Sequence, residues 1–421
     1  MHKPLRNWAG NQEFSFAGDV AATTTEDVTS AMRGTGPVKA LGSRHSFNTI
    51  ADSSGTMIAL DPAHPTIRLD RVQRMVNVSG GARYGEVGAA LQAEGFALTN
   101  LASLPHISVA GACATGTHGS GNANSILASA VAAIELATAT GALRHFSRAD
   151  DPDIFSGLVV HLGALGVVTS LTLDVVSAFD VRQVVYERLP FDAVQTHFDE
   201  IMSSAYSVSL FTDWQRPEFT TVWRKVRVDG ADRHDPDLPF FGALPARQNM
   251  HPLPGLDPQP CTPQLGESGP AFERLPHFRM AFAPSRGNEL QTEYLLAREY
   301  AAAAIDALSP LRQRIAELVM VNEIRTVAAD TFWMSPCHGR DSVAFHFTWK
   351  SDWPSVRDLL PAVERALAPF DARPHWGKLF TMDGTDVRRH YPRLPDFVDL
   401  ARQLDPAGRF RNAFLDDLVF G

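Results

Sequence analysis

The sequence predicts a protein of mixed helix and strand that folds as two domains, or as one domain with a large cap. Its 421 residues exceed the roughly 100 to 200 residues of a typical single domain. Short predicted strands and helices alternate up to about residue 178, where we place the end of the first domain. Ten of the 28 prolines then lie between residues 236 and 276, which excludes regular helix or sheet there.

The first half divides into short elements. An N-cap and acidic turn at residues 23–27 open a helix that ends near Gly34. A helix over 84–94 stops at Gly95, which is typical of a residue following a helix end. A further helix is predicted over 153–162. Strands are predicted over 38–41, 56–60, 75–78, 130–139, 143–147 and 167–173, with 130–147 forming a hairpin.

The second half begins with a strand at 181 and a helix over 193–202. The proline-rich stretch is predicted to be a packed strap rather than a mobile lid, because it carries Phe240, Phe241, Leu244, Met250 and Leu256. Helices are predicted over 289–308, 312–318 and 353–367, and strands over 207–214, 219–228, 277–283, 319–327, 343–349 and 377–380. Residues 404–412 have turn chemistry too specific for a frayed end.

Composition limits the kind of partner. Lys and Arg number 38 against 47 Asp and Glu, a formal charge of −9, and no basic cluster occurs, so we expect neither nucleic-acid nor membrane binding. A small-molecule partner is expected. No apolar run reaches the roughly 18 residues of a membrane span and the start lacks an apolar leader, so the expected location is the cytoplasm. Three cysteines without C-x-x-C spacing predict neither disulfides nor a zinc site, and Cys113 is expected to be a buried apolar residue.

Two loops of small residues predict a cofactor site. Residues 103–121 interleave glycine with Ala, Ser and Thr and carry almost no charge, which suits a buried cradle whose N–H groups face a bulky anion. Residues 42–48 form a second loop of this kind after the strand over 38–41. Together they could clasp a pyrophosphate. A purely structural glycine turn is the alternative for each loop.

Strand periodicity indicates a second site. Alternation in 319–327 puts Glu323 and Arg325 on one face, and in 343–349 it puts His346 and Thr348 on one face. Consecutive strands are often sheet neighbours, so these side chains could form one patch that grips hydroxyl groups, with Lys378 as a further candidate. Solvent-facing or mutually satisfied buried polar pairs are the alternatives.

Three histidines lie in the two loops. His45, in the loop 42–48, is either a hydrogen-bonded turn residue or a nucleophile. His106 and His118 are expected to form hydrogen bonds, and no third ligand indicates a metal.

Seven motifs together resemble the vanillyl-alcohol-oxidase family of flavoproteins, and within it the bacterial alditol oxidases. They are Gly-Ser-Arg-His-Ser-Phe-Asn at 42–48, Ser-Leu-Pro-His-Ile-Ser-Val-Ala-Gly at 103–111, Ala-Thr-Gly-Thr-His-Gly-Ser-Gly at 114–121, Gly-Ala-Leu-Gly-Val-Val-Thr-Ser at 163–170, Asn-Glu-Ile-Arg-Thr at 322–326, His-Trp-Gly-Lys at 375–378 and Asp-Pro-Ala-Gly-Arg-Phe at 405–410. The resemblance covers nearly the whole chain. Arg44 departs from the usual Gly-x-Gly-His pattern.

This resemblance implies an α+β, two-domain flavoprotein. Residues 1–178, completed by 382–421, would bind FAD, and 179–381 would form an antiparallel cap for the substrate. It also implies a covalent bond from the flavin 8α-methyl carbon to His45. The matching cofactor positions are Leu41, Gly42, Ser43, Arg44, His45, Ser46, Phe47, Asn48, Ser103, Ser108, Gly111, Ala114, Thr115, Gly116, Thr117, His118, Val168 and His375. The matching substrate positions are Ser103, Glu323, Arg325, Thr348 and Lys378, with His346 beside them.

The function so implied is oxidation of a terminal alcohol of a polyol such as xylitol or sorbitol to the aldose, with O2 reduced to H2O2, by a cytoplasmic monomer. Lys378, Arg325, Glu323 and His346 are the expected catalytic residues, with His346 the best candidate for a base. Oxidation of an aldonolactone and a carrier-linked dehydrogenase are the alternatives within the fold. A flavin-loaded scaffold and a flavin-free sugar-binding protein are the alternatives from other classes.

Overall fold

The structure, a computed structural model, describes residues 4–60, 65–230, 234–282 and 288–421. Up to residue 178 the described chain forms helices α1 to α4 and strands β1 to β10. The helices are α1 Thr25–Ala31, α2 Tyr84–Ala93, α3 Val109–Ala114 and α4 Pro152–Leu158. The strands are β1 Gly18–Ala22, β2 Val38–Leu41, β3 Thr56–Leu60, β4 Ile67–Asp70, β5 Met75–Ser79, β6 Phe96–Ala97, β7 Val131–Ala137, β8 Leu143–Ser147, β9 Val167–Asp174 and β10 Val176–Ser177.

Beyond residue 178 the described chain forms a second set of elements. The helices are α5 Phe191–Met202, α6 Ala301–Leu308, α7 Arg312–Leu318, α8 Trp353–Leu367, α9 Gly384–Arg389, α10 Leu394–Leu404 and α11 Ala413–Leu415. The strands are β11 Asp180–Pro190, β12 Ser207–Thr212, β13 Glu218–Arg227, β14 Leu244–Pro245, β15 Ser268–Pro270, β16 Glu289–Ala297, β17 Val319–Val327, β18 Ser342–Lys350 and β19 Arg373–Pro374. None of the described helices is both long and apolar enough to cross a membrane.

The strands form sheets in separate parts of the chain. Strands β1, β3 and β2 make a parallel three-stranded sheet, and β4, β5, β9, β7 and β8 make an antiparallel five-stranded sheet. In the described residues after 178, the order β14-β11-β13-β12-β17-β18-β16-β19, with β15 beside β11, gives an antiparallel nine-stranded sheet. The predicted class of mixed helix and strand, with an antiparallel second sheet, is confirmed.

The large sheet has an apolar face and a polar face. Along β18, Val343, Phe345, Phe347 and Trp349 are fully buried in one apolar cluster with residues of α5, α6 and α8. This cluster covers one side of the sheet with helices. The alternate residues of the same strands point to the other side, and this pleat sets the polar patch described below.

Local sequence explains most boundaries. Helix α1 begins with a capping box, in which the Thr24 hydroxyl accepts from the backbone N–H of Asp27 and the Asp27 carboxylate accepts from that of Thr24. Helix α2 ends before Gly95, which has a φ of 79°. The tail is fastened rather than frayed, because the buried Arg409 guanidinium donates to carbonyls of Met32 and Gly36 and the Arg409 carbonyl accepts from Val38 of β2.

Three predictions of secondary structure were wrong. Residues 289–308 begin as strand β16 and become helical only from residue 298, in a 3-10 turn Arg298–Tyr300 followed by α6. The strand forms because the alternating Leu290, Tyr294 and Leu296 pack into the sheet core and β18 pairs along its whole length. The described part of 277–283, up to residue 282, forms only an isolated bridge at Phe278. Residues 377–380 form a turn instead of a strand, in which the Gly377 N–H donates to Nδ1 of His375; beyond the turn the Leu379 N–H still donates to the Gln291 carbonyl of β16.

Two smaller corrections concern the cradle and the strap. Helix α3, which we did not expect, forms inside 103–121, where the Ser108 carbonyl accepts from Ala112. The strap is packed as predicted, with Phe240 and Cys261 buried, but Leu244 and Leu256 are 57% and 52% exposed and do not anchor it. The expected exclusion of regular sheet was wrong, because the strap contributes the short strands β14 and β15, which both pair with β11.

Candidate functional site

A cavity of about 580 Å³ lies where the small-residue loops of the first half meet the polar face of the large sheet. Its lining includes Lys39 and His161 from the first half of the chain and Glu323 and Lys378 from the second half. Of the predicted site residues, all but Gly116 line it. Gly116 instead makes a turn with a φ of 68°.

The two loops predicted to clasp a cofactor are in contact. The Ser43 hydroxyl accepts from the backbone N–H of Ser108 at 3.0 Å, and the Ser108 hydroxyl accepts from that of Ser43 at 3.3 Å. A Cβ atom on Gly42 would lie 2.7 Å from the Ser108 hydroxyl oxygen, so only glycine fits without displacing that contact. Ser108 caps α3, and the hydrogen bonds join the two loops into one cavity wall.

His45 is fixed within this wall. Its ring stacks on Trp8 at a centroid distance of 5.2 Å and an interplanar angle of 23°, and its Nδ1 lies 3.1 Å from the Ser43 hydroxyl. Burial, with the nearby His106, lowers the pKa of His45 to about 4, so the imidazole is neutral and nucleophilic at neutral pH. Arg44 before it has a φ of 62°, the left-handed conformation that glycine would adopt without strain.

The loop end of the cavity suits a flavin dinucleotide. Hydroxyl, amide and backbone donors of residues 42–48 and 108–117 line it, with the basic side chains of Lys39, Arg44 and Arg83. Lys39 is 1% exposed, and its ammonium donates to the Gly163 carbonyl at 3.1 Å. Donors and cations around a wall of small residues are what a pyrophosphate requires, so the residues present fit FAD.

The polar patch forms on the sheet face as predicted. Strands β17 and β18 are paired neighbours, and Glu323 is directly opposite His346. Arg325 Nε lies 3.5 Å from Glu323 Oε2, and His346 Nδ1 lies 3.5 Å from the same oxygen. Arg325 also reaches the Ser103 hydroxyl at 3.3 Å. The described strands therefore bring Ser103, Glu323, Arg325 and His346 together, and Thr348 lines the same cavity.

Glu293 is a site residue that the sequence analysis missed. Its side chain is 1% exposed, and its carboxylate accepts from Lys378 Nζ at 2.7 Å and from Arg325 Nη2 at 2.9 Å. His118 Nε2 lies 3.2 Å from the same carboxylate. Burial alone would raise the pKa of Glu293, but Lys378, His118 and Arg325 together outweigh it and hold that pKa well below its usual range.

His277 and Lys225 were missed as well. His277 Nε2 lies 2.7 Å from Glu323 Oε1, and Lys225 Nζ lies 3.1 Å from His277 Nδ1. The alternation of polar residues in β16 could have revealed Glu293 had that segment been read as a strand. Nothing in the local sequence of His277 predicts its contact, since it follows the proline-rich strap.

Other singled-out residues lie outside the site. Cys113 is 1% exposed in the apolar core, where burial raises the pKa of its thiol to about 12. His106 is bonded through Nε2 to the Met280 carbonyl at 3.0 Å and does not line the cavity.

The chain is similar in sequence and in fold to known oxidases. A family described as FAD binding domain matches residues 16–147, and one described as D-arabinono-1,4-lactone oxidase matches residues 284–418. The alditol oxidase of Streptomyces sp. (strain IKD472 / FERM P-14339) is 46% identical over all of both chains. The L-gulono-1,4-lactone dehydrogenase of Mycobacterium tuberculosis is 26% identical over 97% of each. The crystal structure of cholesterol oxidase from B. sterolicum has the same fold, with a TM-score of 0.78 at 15% identity over 99% of this chain and 96% of the other.

Proposed function

The chain belongs to the vanillyl-alcohol-oxidase family of FAD-dependent flavoproteins, alongside alditol oxidase, and we propose that it oxidises a terminal –CH2OH of a polyol such as xylitol or sorbitol. The product is the aldose, and O2 is reduced to H2O2. One observation carries this proposal. Hydroxyl-gripping side chains converge on the sheet side of a cavity whose other wall is the pair of small-residue loops around His45.

The charged side chains bind and orient the polyol. Arg325 and Lys378 donate hydrogen bonds to its hydroxyl groups and stabilise the negative charge that develops on the reacting oxygen. Glu323 accepts from a hydroxyl group and holds Arg325, and Glu293 fixes Lys378 and Arg325 relative to each other. Bound FAD would supply the hydride acceptor and pass the electron pair to O2.

His346 is the residue that takes the hydroxyl proton. Burial, with the charge of nearby Lys378, lowers its pKa to about 4, so the ring is neutral and can accept a proton. Its Nε2 is buried and has no hydrogen-bond partner in the described protein, and the residue lines the cavity. The unpartnered nitrogen is therefore available to a substrate hydroxyl.

Lys378 gives the first test of the site. Replacing Lys378 by Ala should leave flavin bound and lower turnover of xylitol sharply, because the ammonium that orients the hydroxyls is gone. Unchanged steady-state kinetics in this variant would remove Lys378 from the mechanism. A matched control is Lys350→Ala. Lys350 is an exposed lysine at the end of β18, and its ammonium donates to the Glu317 carbonyl.

A covalent flavin at His45 is the second part of the proposal. In the proposed bond, the neutral imidazole held by Trp8 and Ser43 would replace one hydrogen of the 8α-methyl carbon; the flavin would take up the electron pair of the broken C–H bond, and O2 would then remove it. The attached imidazole would withdraw electron density from the ring system and raise its reduction potential, which would favour hydride acceptance from an unactivated alcohol. The test is acid precipitation of the purified protein: yellow colour in the pellet is expected, and its full release to the supernatant would contradict the bond.

Lactone oxidation and carrier-linked turnover are the second candidates. The match of residues 284–418 to the D-arabinono-1,4-lactone oxidase description and the similarity to a lactone dehydrogenase favour them. Peroxide formed with xylitol but not with L-gulono-1,4-lactone supports the polyol, and the reverse overturns it. Equal turnover with an artificial acceptor in the absence and presence of O2, without peroxide, indicates the dehydrogenase.

The proposal also includes the domain boundaries, the oligomeric state and the cellular location. The last strand of the small sheets, β10, pairs with β6 and ends at Ser177, and β11 starts at Asp180; these limits support an FAD-binding domain of residues 1–178, completed by 382–421, and a cap of 179–381. Residues of α9, α10 and the tail pack in the same apolar cluster as the five-stranded sheet, which supports the completing role. The proposed monomer is tested by sedimentation, and the proposed cytoplasmic location by cell fractionation.

A further inference from the structure

A chain of buried polar side chains ends at Glu323. Lys225 of β13 lies with its Nζ 3.1 Å from Nδ1 of His277, and Nε2 of His277 lies 2.7 Å from Oε1 of Glu323. Lys225, His277 and Glu323 are 0%, 5% and 4% exposed, so bulk water does not replace any of these contacts. These contacts connect Lys225 through His277 to Glu323, the carboxylate of the polar patch.

The proton count of Lys225 determines which nitrogen of His277 carries hydrogen. A lysine ammonium has three donors and no acceptor. Its Nζ has three neighbours that can accept: the carbonyl oxygens of Leu275 and Pro276, and Nδ1 of His277. If all three contacts are satisfied, Nδ1 is an acceptor, so the ring proton is on Nε2 and is donated to Glu323.

The imidazole of His277 is held so that it cannot turn. The rings of Phe211 and Trp223 contact it at centroid distances of 5.5 and 5.1 Å, at angles of 67° and 73°. Its backbone N–H donates to the carbonyl of Ser103 at 3.0 Å. Ring plane and backbone are therefore both fixed, and only the proton position is left for Lys225 to set.

We propose that Lys225 and His277 are positioning residues of this oxidase: Lys225 holds His277 in the Nε2–H form, and His277 holds Glu323 ionised with its other oxygen turned to the substrate patch. That oxygen, Oε2, is the one near Arg325 and His346. With the proton on Nδ1 instead, the lone pair of Nε2 would face the carboxylate 2.7 Å away. The role in turnover rests on the proposed function, whereas the proton assignment does not.

Below about pH 7, where Lys225 is an ammonium, the charge states agree with this assignment. Burial and the charge of Lys225 lower the pKa of His277 to about 4, so its ring is neutral. Burial alone would raise the pKa of Glu323, but Arg325 and His277 outweigh it and hold that pKa well below its usual range. Burial lowers the pKa of Lys225 to about 7. Glu323 and Cys261 raise this pKa and Arg325 lowers it, but burial has the largest effect.

The first test reads the proton position directly. In the holoenzyme labelled with 15N-histidine, at about pH 6 where Lys225 is charged, long-range 1H–15N correlation spectra report the tautomer of His277, whose signals are identified by their loss in H277Q. The expected result is the Nε2–H form in the unchanged protein and a shift toward Nδ1–H in K225M. An Nδ1–H form in the unchanged protein, or no change in K225M, overturns the proposal.

The second test separates positioning from general damage. K225M and H277F should each lower kcat/KM for xylitol about 10- to 100-fold, the effect of losing one charge-assisted hydrogen bond. Their effects should not add to that of E323Q, because all three act on one carboxylate. H277Q should recover much of the loss in H277F, since its amide can donate to Glu323. K350M is the matched control.

The positioning role in turnover and the proton assignment of His277 can fail separately. Additive losses with E323Q, or equal kinetics of H277Q and H277F, overturn the positioning role. If K225M does not accumulate as a folded flavoprotein, H277F supplies the same comparison, because a phenyl ring fits between Phe211 and Trp223. If the unchanged protein turns over no polyol, the proposed function fails, and the 15N spectra still decide the proton assignment.

Discussion

Replacing Glu293 by Gln should lower kcat/KM for xylitol more than the loss of a hydrogen bond between two neutral groups would. One carboxylate oxygen accepts from Arg325 and lies near His118, and the other accepts from Lys378. A glutamine has only one oxygen, so its NH2 group must face a cation. A charge-assisted hydrogen bond is worth about 1.5 to 3 kcal/mol, and kcat/KM for xylitol should therefore fall about 10- to 150-fold.

A pH profile gives the second readout of this variant. Burial lowers the pKa of Lys378, and Glu293 opposes that effect. Without the carboxylate the pKa of Lys378 falls further, so the ammonium loses its proton at lower pH. The alkaline decline of kcat/KM in E293Q should begin at lower pH than in the unchanged enzyme.

The control for E293Q is Glu364→Gln. Glu364 is half-buried in the same half of the chain, and its carboxylate accepts from neutral donors, namely the Tyr294 hydroxyl, the Thr381 hydroxyl and the backbone N–H groups of Thr381 and Met382. E364Q should leave the pH profile in place and change kcat/KM little. Comparable kinetic losses in both variants, or an unmoved alkaline limb in E293Q, would refute the view that Glu293 acts by holding Lys378 charged and in position.

Three further predictions concern the loop 42–48, two buried histidines and the charge of the polar patch. Gly42→Ala places a Cβ atom 2.7 Å from the Ser108 hydroxyl and should lower the flavin content per protein, measured as the ratio of visible to 280 nm absorbance; an unchanged ratio would contradict the close fit. The unfolding free energy should fall as pH drops from about 6.5 to about 4, by up to about 1.4 kcal/mol per pH unit for each of His161 and His277, because burial lowers their pKa to about 4 in the fold; urea titrations that show no such slope would count against it. Xylonate should inhibit xylitol oxidation far more weakly than a neutral polyol of the same length, because Glu293 and Glu323 already pair Arg325 and Lys378; comparable inhibition constants would contradict this pairing.

The sign of the pH effect follows from linkage. Each of these histidines has a folded pKa below its unfolded value of about 6.5, so between about pH 4 and 6.5 the unfolded chain binds more protons. Their stability contribution is complete above about pH 6.5 and is lost as pH falls. Asp330, whose pKa burial raises to about 6, acts in the opposite direction and would reduce the slope.

The sequence predicted those parts of the site that depend on local pattern. Period-2 alternation identified the faces of β17 and β18, and chain order identified the two strands as neighbours. Small residues and hydroxyl groups identified the loop 42–48 and its partner at 103–121, which meet through Ser43 and Ser108. These signals survive in sequence because the residues that produce them are only a few positions apart.

The parts that were missed depend on contacts between distant segments. Residues 289–297 are rich in helix formers, and pairing with β18 overrides that propensity, which concealed Glu293. His277 reaches Glu323, 46 residues further along the chain, after an irregular strap. No local period encodes such a contact, because the strap has none.

The pairing of charges in the polar patch explains why Glu293, which the sequence did not predict, matters as much as Arg325 and Lys378. Arg325 and Lys378 alone would place two buried cations in the cavity, which is costly unless each is paired. Glu323 and Glu293 supply two carboxylates, so the pairs offset one another before substrate binds. A neutral polyol enters such a site without disturbing these pairs, whereas an anion would compete with Glu323 and Glu293 for Arg325 and Lys378. Negative charge that develops on the substrate during reaction is met by donors already held in place, and this fixed arrangement is what Glu293 contributes.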